Sequence, residues 1–250
     1  MSRIDICGIP TNIDVPDDNG VIWTSKITAG WSSPTVSSQR ANATGQSGVV
    51  LLEEKHQERT VEIKGWAFAP DAAAAELAFE QLSSMPALGT TGEIVYYGPT
   101  PKSLTVRQGE EPRVDEQPAG GKFHYMLTLV ALSPYKRGLT ERSVTIAPGA
   151  TVNVVNDGNA PAVLTVAASS SGMVRVKQTV SGQVLRSKVS VASGTVFDGV
   201  AKYARSAGGV RLVGVIDNPS EWLSVPRSSS TPVKNEGSAP VVVTWFDTYA

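Results

Sequence analysis

Between Lys122 and Leu132 every second residue is apolar: Phe123, Tyr125, Leu127, Leu129 and Ala131. A period of two places these side chains on one face of an extended strand, which no helix can do. Met126, Val130 and Leu132 fall on the other face, so this strand is expected to be partly covered on both sides. The same phase recurs in Thr60–Lys64, with Val61 and Ile63 inward and Glu62 and Lys64 outward. Shorter apolar runs follow, separated by Gly, Pro, Asn and Asp: Val144–Ile146, Thr151–Val155, Ala162–Ala167, Met173–Thr179, Val184–Val191, Gly209–Val215 and Val241–Phe246. Runs of this length between turn residues read as strands, so the chain is expected to be mainly β.

One segment departs from that pattern. In Asp71–Ser84 the residues Ala74, Leu77, Ala78 and Leu82, with Met85 beyond, recur at helical spacing. Asp71 can cap the first turn with its carboxylate, and Pro86 stops the helix. The spacing predicts a single helix lying on a sheet. Ahead of it, Asp17-Asp18-Asn19-Gly20 before Val21-Ile22-Trp23 predicts an N-terminal hairpin. Residues 30–48 are rich in Ser, Thr, Gly, Asn and Gln and predict a long loop. Long loops in compact domains are commonly functional, and Trp31 and Arg40 are residue types favoured at interfaces. After the helix, Glu93–Tyr97 and Ser103–Arg107 read as strands, and Gly109–Gly121 as a polar loop holding Glu110, Glu111 and Arg113. Strands, one helix and more strands suggest an α+β domain over residues 1–140, with its boundary near Leu139–Arg142. Residues 141–250 contain no helical spacing and predict an all-β sandwich. The Trp31–Gly48 and Gly109–Gly121 loops, with Trp31, Arg40, Glu110, Glu111 and Arg113, are the candidate interface.

An internal repeat supports the sandwich. Asn156-Asp157-Gly158-Asn159-Ala160-Pro161 and the run after it return as Asn235-Glu236-Gly237-Ser238-Ala239-Pro240, an offset of 79 residues (156 to 235). Each copy is an Asx-Gly turn, then Ala-Pro, then a strand. Two copies are too few for a solenoid and fit two equivalent edges of one sandwich.

The chemistry that is missing narrows the function. The formal net charge is -1 over 250 residues, which argues against a basic nucleic-acid binder. No stretch approaches the roughly 18–20 apolar residues of a membrane span, and Asp5 falls where the apolar part of a signal peptide would begin. The one cysteine and two histidines, His56 and His124, stand in no metal-ligand spacing. There is no Gly-x-Ser-x-Gly elbow and no phosphate-binding Gly-rich loop. Glu110-Glu111 with Asp115-Glu116 could imitate a glycosidase pair, but an exposed loop leaves carboxylates ordinary. No catalytic residue, cofactor or metal site is expected. Trp222 and Tyr203 are candidate carbohydrate contacts, since sugars stack on exposed aromatic rings; a lone aromatic more often buries.

Several segments together resemble the distal tail proteins of long-tailed, non-contractile bacteriophages. They are Gly30-Trp31-Ser32-Ser33-Pro34, Arg59-Thr60-Val61-Glu62-Ile63-Lys64-Gly65 followed by the one helix, Phe123–Leu132 closing on Ser133-Pro134-Tyr135-Lys136, Asn156–Pro161 and Val241–Tyr249. The late Trp222-Leu223 departs from the family, which often continues with Pro-Gly and Asn; here Val225-Pro226-Arg227-Ser228 follows. The resemblance implies a ring-forming α+β N-terminal domain followed by a galectin-like sandwich. It implies a non-enzymatic structural role in the virion, assembled in the host cytoplasm. The homo-oligomeric ring, commonly a hexamer, would join the tail tube protein to tip and tape-measure-associated proteins, with no sequence-specific nucleic acid and no membrane insertion. The alternatives are another minor tail protein of the same plan, or a carbohydrate-binding module acting in host adsorption.

Overall fold

The computed structural model describes residues 2–32, 34, 36–42, 49–115, 121–217 and 220–250, without the side chains of 36–42, 49–56 and 115. The chain is mainly β, with one helix among the described residues. It divides into two compact units between Lys136 and Arg137. Leu139–Arg142, read as a boundary, lies inside a continuous strand, Lys136–Ile146.

The first unit is built around its longest alternating strands. These are β3 (Ile22–Ala29), β6 (Arg59–Phe68) and β10 (Lys122–Ala131). β10 pairs with β6 along its whole length, from Lys122↔Phe68 to Ala131↔Arg59, and β6 pairs with β3. The other side of β10 carries β9 (Arg113–Asp115) and β8 (Lys102–Gln108). From β8 the sheet continues through β7 (Gly92–Tyr96) and β1 (Ile4–Ile6) to β2 (Ile9–Thr11). Phe123, Tyr125, Leu127, Leu129 and Ala131 are all buried, as the alternation requires, and Trp23 meets Phe123 and Tyr125 edge-on at 6.2 and 5.8 Å.

The helix α1 spans Ala72–Ser83, and Asp71 caps it by accepting from the Ala74 amide at 2.8 Å. Its buried stripe is Ala75, Ala78 and Leu82, while Leu77 stands 53% exposed. The predicted stripe is therefore rotated. With four alanines in its first turn, the helix rests on the sheet through methyl groups, and the larger Leu77 is left outside.

Two local predictions fail. The N-terminal hairpin joins β1 to β2 through Cys7 and Gly8, both at positive φ (50° and 94°), the backbone that a two-residue hairpin turn requires. The Asp17–Gly20 turn instead anchors the start of β3. Asp17 Oδ1 accepts from the amides of Asn19 and Val21, and its Oδ2 accepts from Trp23 Nε1 at 2.8 Å. Within the predicted 30–48 loop lies β4 (Val36–Asn42), paired with β5 (Val49–His56) as a two-stranded sheet. A ladder needs only backbone groups, so polar composition hid this strand. Residues 43–48 of that segment lie outside the described residues.

The second unit is two facing sheets. One runs β12 (Thr151–Asn156), β21 (Ser229–Asn235), β15 (Arg175–Gln178), β16 (Val184–Arg186). The other runs β11 (Lys136–Ile146), β22 (Val241–Tyr249), β14 (Thr165–Ala168), β17 (Val196–Asp198), β18 (Tyr203–Arg205), β19 (Arg211–Leu212). A short pair, β13 (Ala162–Val163) with β20 (Ser224–Val225), completes it. Val154, Leu164, Val166, Phe197, Val233, Val243 and Trp245 are among the buried side chains between the sheets.

The repeat has an exact structural counterpart in pairing. Thr165 lies opposite Thr244, and Asn153 opposite Pro232. Each pair is 79 residues apart, the offset of the repeat. An antiparallel pair of equivalent residues marks a local two-fold axis, so both sheets share one pseudo-dyad. Asn156 and Asn235 end equivalent strands and are fully buried. Asn156 Oδ1 accepts from the Gly158 amide at 3.0 Å and its Nδ2 donates to Ala160 O at 2.8 Å. Asn235 does the same with Gly237 at 3.0 Å and Ala239 O at 2.9 Å. Both glycines are needed for close approach: a Cβ at Gly158 would lie 1.9 Å from Thr248 O, and one at Gly237 2.3 Å from Met173 O.

Candidate interface surfaces

The chain turn that begins the β4–β5 hairpin is held by two cations. Gly30 has φ +78°, and a Cβ there would lie 1.8 Å from Thr60 O, so only glycine fits. The carbonyls that follow converge. Arg59 Nη1 donates to Gly30 O at 3.3 Å, Trp31 O at 3.1 Å and Ser32 O at 2.7 Å, and Lys136 Nζ donates to Trp31 O at 2.7 Å. Arg59 and Lys136 are 4% and 5% exposed. Burial, then the nearby charges of Arg59 and Lys102, push the Lys136 ammonium down to about 8. Trp31 is half-buried, its ring 5.7 Å from that of Tyr96 and 5.5 Å from Lys136 Nζ. Three segments far apart in sequence, at Gly30–Ser32, Arg59 and Lys136, thus meet at one point. Arg40 lies on β4, and its side chain is outside the described residues.

The second surface is the face of β3–β6–β10 opposite the core. β6 runs past the Thr60–Lys64 alternation as far as Phe68. Trp66 and Phe68 therefore fall in the same phase as Glu62 and Lys64, and stand 43% and 38% exposed. Register sets the rows across the sheet: Ile22–Phe68–Lys122, Thr24–Trp66–His124 and Lys26–Lys64–Met126. Lys122 Nζ lies 4.5 Å from the Trp66 ring centre and 5.1 Å from that of Phe68, within cation–π range. The His124 ring is 5.0 Å from Trp66. Thr24, Ser25, Lys26, Lys64, Gly65, Trp66 and His124 line an open groove of about 280 Å³. The sequence reading missed this face, although aromatic residues at the solvent phase of an alternation were its signal.

At the β9 side of the sheet lie the acidic candidates. The amides of Gly109 and Glu110 both donate to Thr128 O, at 3.0 and 3.3 Å, which ties this segment to the edge of β10. Glu110, Glu111 and Arg113 are exposed, and Arg113 Nη2 reaches Glu110 Oε2 at 3.3 Å. A pair this exposed contributes little to stability. Residues 116–120 of the predicted loop lie outside the described residues, and 113–115 form β9.

In the second unit, Tyr203 and Trp222 are half-buried, and each has a cation over its ring: Arg211 at 5.3 Å and Lys202 at 5.4 Å. Trp222 also packs against the sandwich core. Among the described residues no His, Cys, Asp and Glu cluster fits a metal ion, and no helix is long and apolar enough to cross a membrane.

No protein-family model matches the chain, and no curated protein matches it by sequence. Solved structures do match. The crystal structure of the SPP1 Dit protein, described as a paradigm of the hub adsorption apparatus in phages infecting Gram-positive bacteria, superposes with a TM-score of 0.70 and 16% identity, covering 100% of both chains. The chain shares the fold of that hub protein. A chain of the phage P2 baseplate in its activated conformation with Ca matches with a TM-score of 0.56 and 9% identity, over 100% of this chain and 97% of that one. The same baseplate with Sr gives 0.53 and 10%, over 97% of each. The hub fold accounts for the α+β unit and the sandwich together.

Proposed function

We propose that the chain is a non-enzymatic structural component of a phage tail tip, resident in the virion. One observation carries this reading: the likeness to the SPP1 hub protein runs through the whole of both chains, so both units and their order are shared. The first unit would form a closed homo-oligomeric ring, a hexamer by resemblance, and the second would be its galectin-like appendage. The ring would join the tail tube to tip and receptor-binding proteins. A ring needs heterologous contacts that close, and the surfaces around Trp31, Arg40 and Glu110–Arg113 remain candidates for them.

The test is solution mass by light scattering on the purified chain, with negative-stain images of the same sample. Closed particles of several subunits are the expected result. A chain that stays monomeric at all concentrations, and that also fails to join a ring when mixed with tail tube and tip proteins, would overturn the reading.

A further inference from the structure

The exposed face of β3–β6–β10 gathers Lys26, Lys64 and Lys122 beside Trp66 and Phe68. Among the described residues no ion pair reaches Lys26, Lys64 or Lys122, whereas Arg3, Arg107 and Arg113 in the same unit each have a carboxylate partner. Glu62 is the one carboxylate that shares the alternation phase of Lys64 on β6. Lysines set beside two exposed aromatic rings form a surface that is both cationic and apolar, the character of a docking site rather than of ordinary solvated sheet.

The complementary surface lies in the same sequence. Residues 110–116 hold Glu110, Glu111, Asp115 and Glu116 against the single cation Arg113, with Pro112 between. Glu111 is exposed and has no ion pair among the described residues. In the order β3–β6–β10–β9 the lysine-bearing β3 is at one edge and the acidic turn leads into β9 at the other. Within one chain β10 therefore stands between the acidic turn and the strands that carry Lys64 and Lys26. Two copies placed head to tail could bring the turn of one onto the lysines of the other.

We propose that the Lys26–Lys64–Trp66 face of one copy receives the Glu110-Glu111-Pro112 turn of the next. The carboxylates lie between Lys26 and Lys64, and Pro112 covers part of the Trp66 ring. The contact is heterologous, so repeating it generates a ring or a filament. This inference rests on the ring reading and names the surfaces that close it.

A charge swap tests it. The full chain is followed by light scattering over a concentration series, with the thermal midpoint measured to confirm folding. The substitutions are at exposed positions, so midpoints near that of the wild type are expected. Lys26→Glu with Lys64→Glu, and separately Glu110→Lys with Glu111→Lys, should each weaken assembly by about tenfold or more, the scale of close interfacial charge pairs. The chain carrying all four substitutions should regain most of the lost assembly, because the pairing is restored with its signs reversed. Raised salt should weaken the wild type and the four-fold variant alike.

Each outcome separates the two claims. A wild-type chain that never assembles, alone or mixed with tail tube and tip proteins, removes the ring reading and this contact together. A wild-type ring unchanged by either pair of reversals leaves the ring reading standing and overturns this contact. Losses in both pairs without recovery in the combined chain overturn the pairing as well. A Lys26→Glu/Lys64→Glu chain that assembles normally but loses retention on heparin would assign the face to a polyanion instead.

Discussion

Asn156 and Asn235 in the second unit do the same work as Arg59 and Lys136 in the first, with different chemistry. Each holds a reversal of the chain by reaching the carbonyls that the reversal leaves over. The asparagines are neutral, and donor and acceptor are both used within the turn. The cations bring charge with them. Arg59 Nε and Nη2 are buried without a hydrogen-bond partner among the described residues, and Lys136 gives up its proton more easily than a free lysine. A buried amide can be fully satisfied at no electrostatic cost, while a buried cation held only by carbonyl dipoles carries a desolvation penalty. The second unit's device is closed and indifferent to pH. The first unit's is open to titration.

The largest effect that would break this comparison is at the asparagines. Asn235→Ala removes the donor to the carbonyls of Ala239 and Ile146 and leaves the Gly237 amide with Arg175 O alone, and should cost about 2–4 kcal/mol in denaturant unfolding. Asn156→Ala should cost a similar amount, because the pseudo-dyad gives it the same turn. A markedly unequal pair would show that the two turns are alike in shape only.

A smaller effect sharpens the other side. In the folded chain Lys136 titrates near 8, against an ordinary 10.5. Below about pH 8 both folded and unfolded chains keep the proton, and the penalty is constant. Between there and 10.5 the unfolded chain holds a proton the folded chain has released, so this group's contribution to stability rises with pH. The thermal midpoint of the wild type, taken relative to Lys136→Met, should therefore climb from about pH 8 to 10. A flat difference would mean the ammonium is better solvated than its burial indicates. The smallest effect is at the sheet face: Trp66→Ala should change stability by less than about 1 kcal/mol, since the ring is 43% exposed, while weakening assembly measured by light scattering.

What the sequence disclosed follows the strength of local patterning. β10 and the helix cap at Asp71 were legible because an alternation or a capping residue acts on its own neighbours. The Asx-Gly repeat was legible because a tight turn demands particular residues wherever it occurs. β21 was missed: Ser229–Asn235 is polar and has Pro232 at its middle, and only its place between β12 and β15 makes it a strand. β4 was hidden for the reason already given, that its ladder asks nothing of side chains. At the surface, Glu110, Glu111 and Arg113 were legible as an exposed charged segment. The Lys26–Lys64–Trp66–Lys122 cluster was not, because a net charge of -1 averages over the molecule while cross-strand register gathers cations from three separate strands.

The pseudo-dyad also sets the order in which the sandwich can be built. Its two defining pairs, Thr165↔Thr244 and Asn153↔Pro232, each span 79 residues. Closing a loop of that length costs about 4 kcal/mol beyond a constant before any contact repays it. β21 lies between β12 and β15, and β22 between β11 and β14, so the latest strands in the sequence occupy the interior of both sheets. A chain emerging from the ribosome lacks the inner strand of one sheet until Asn235 has been made and that of the other until Tyr249 has been made. Until then it presents the open edges of β12, β14 and β15 to whatever else is nearby, a slow, non-local closure that leaves the nascent sandwich exposed to mispairing.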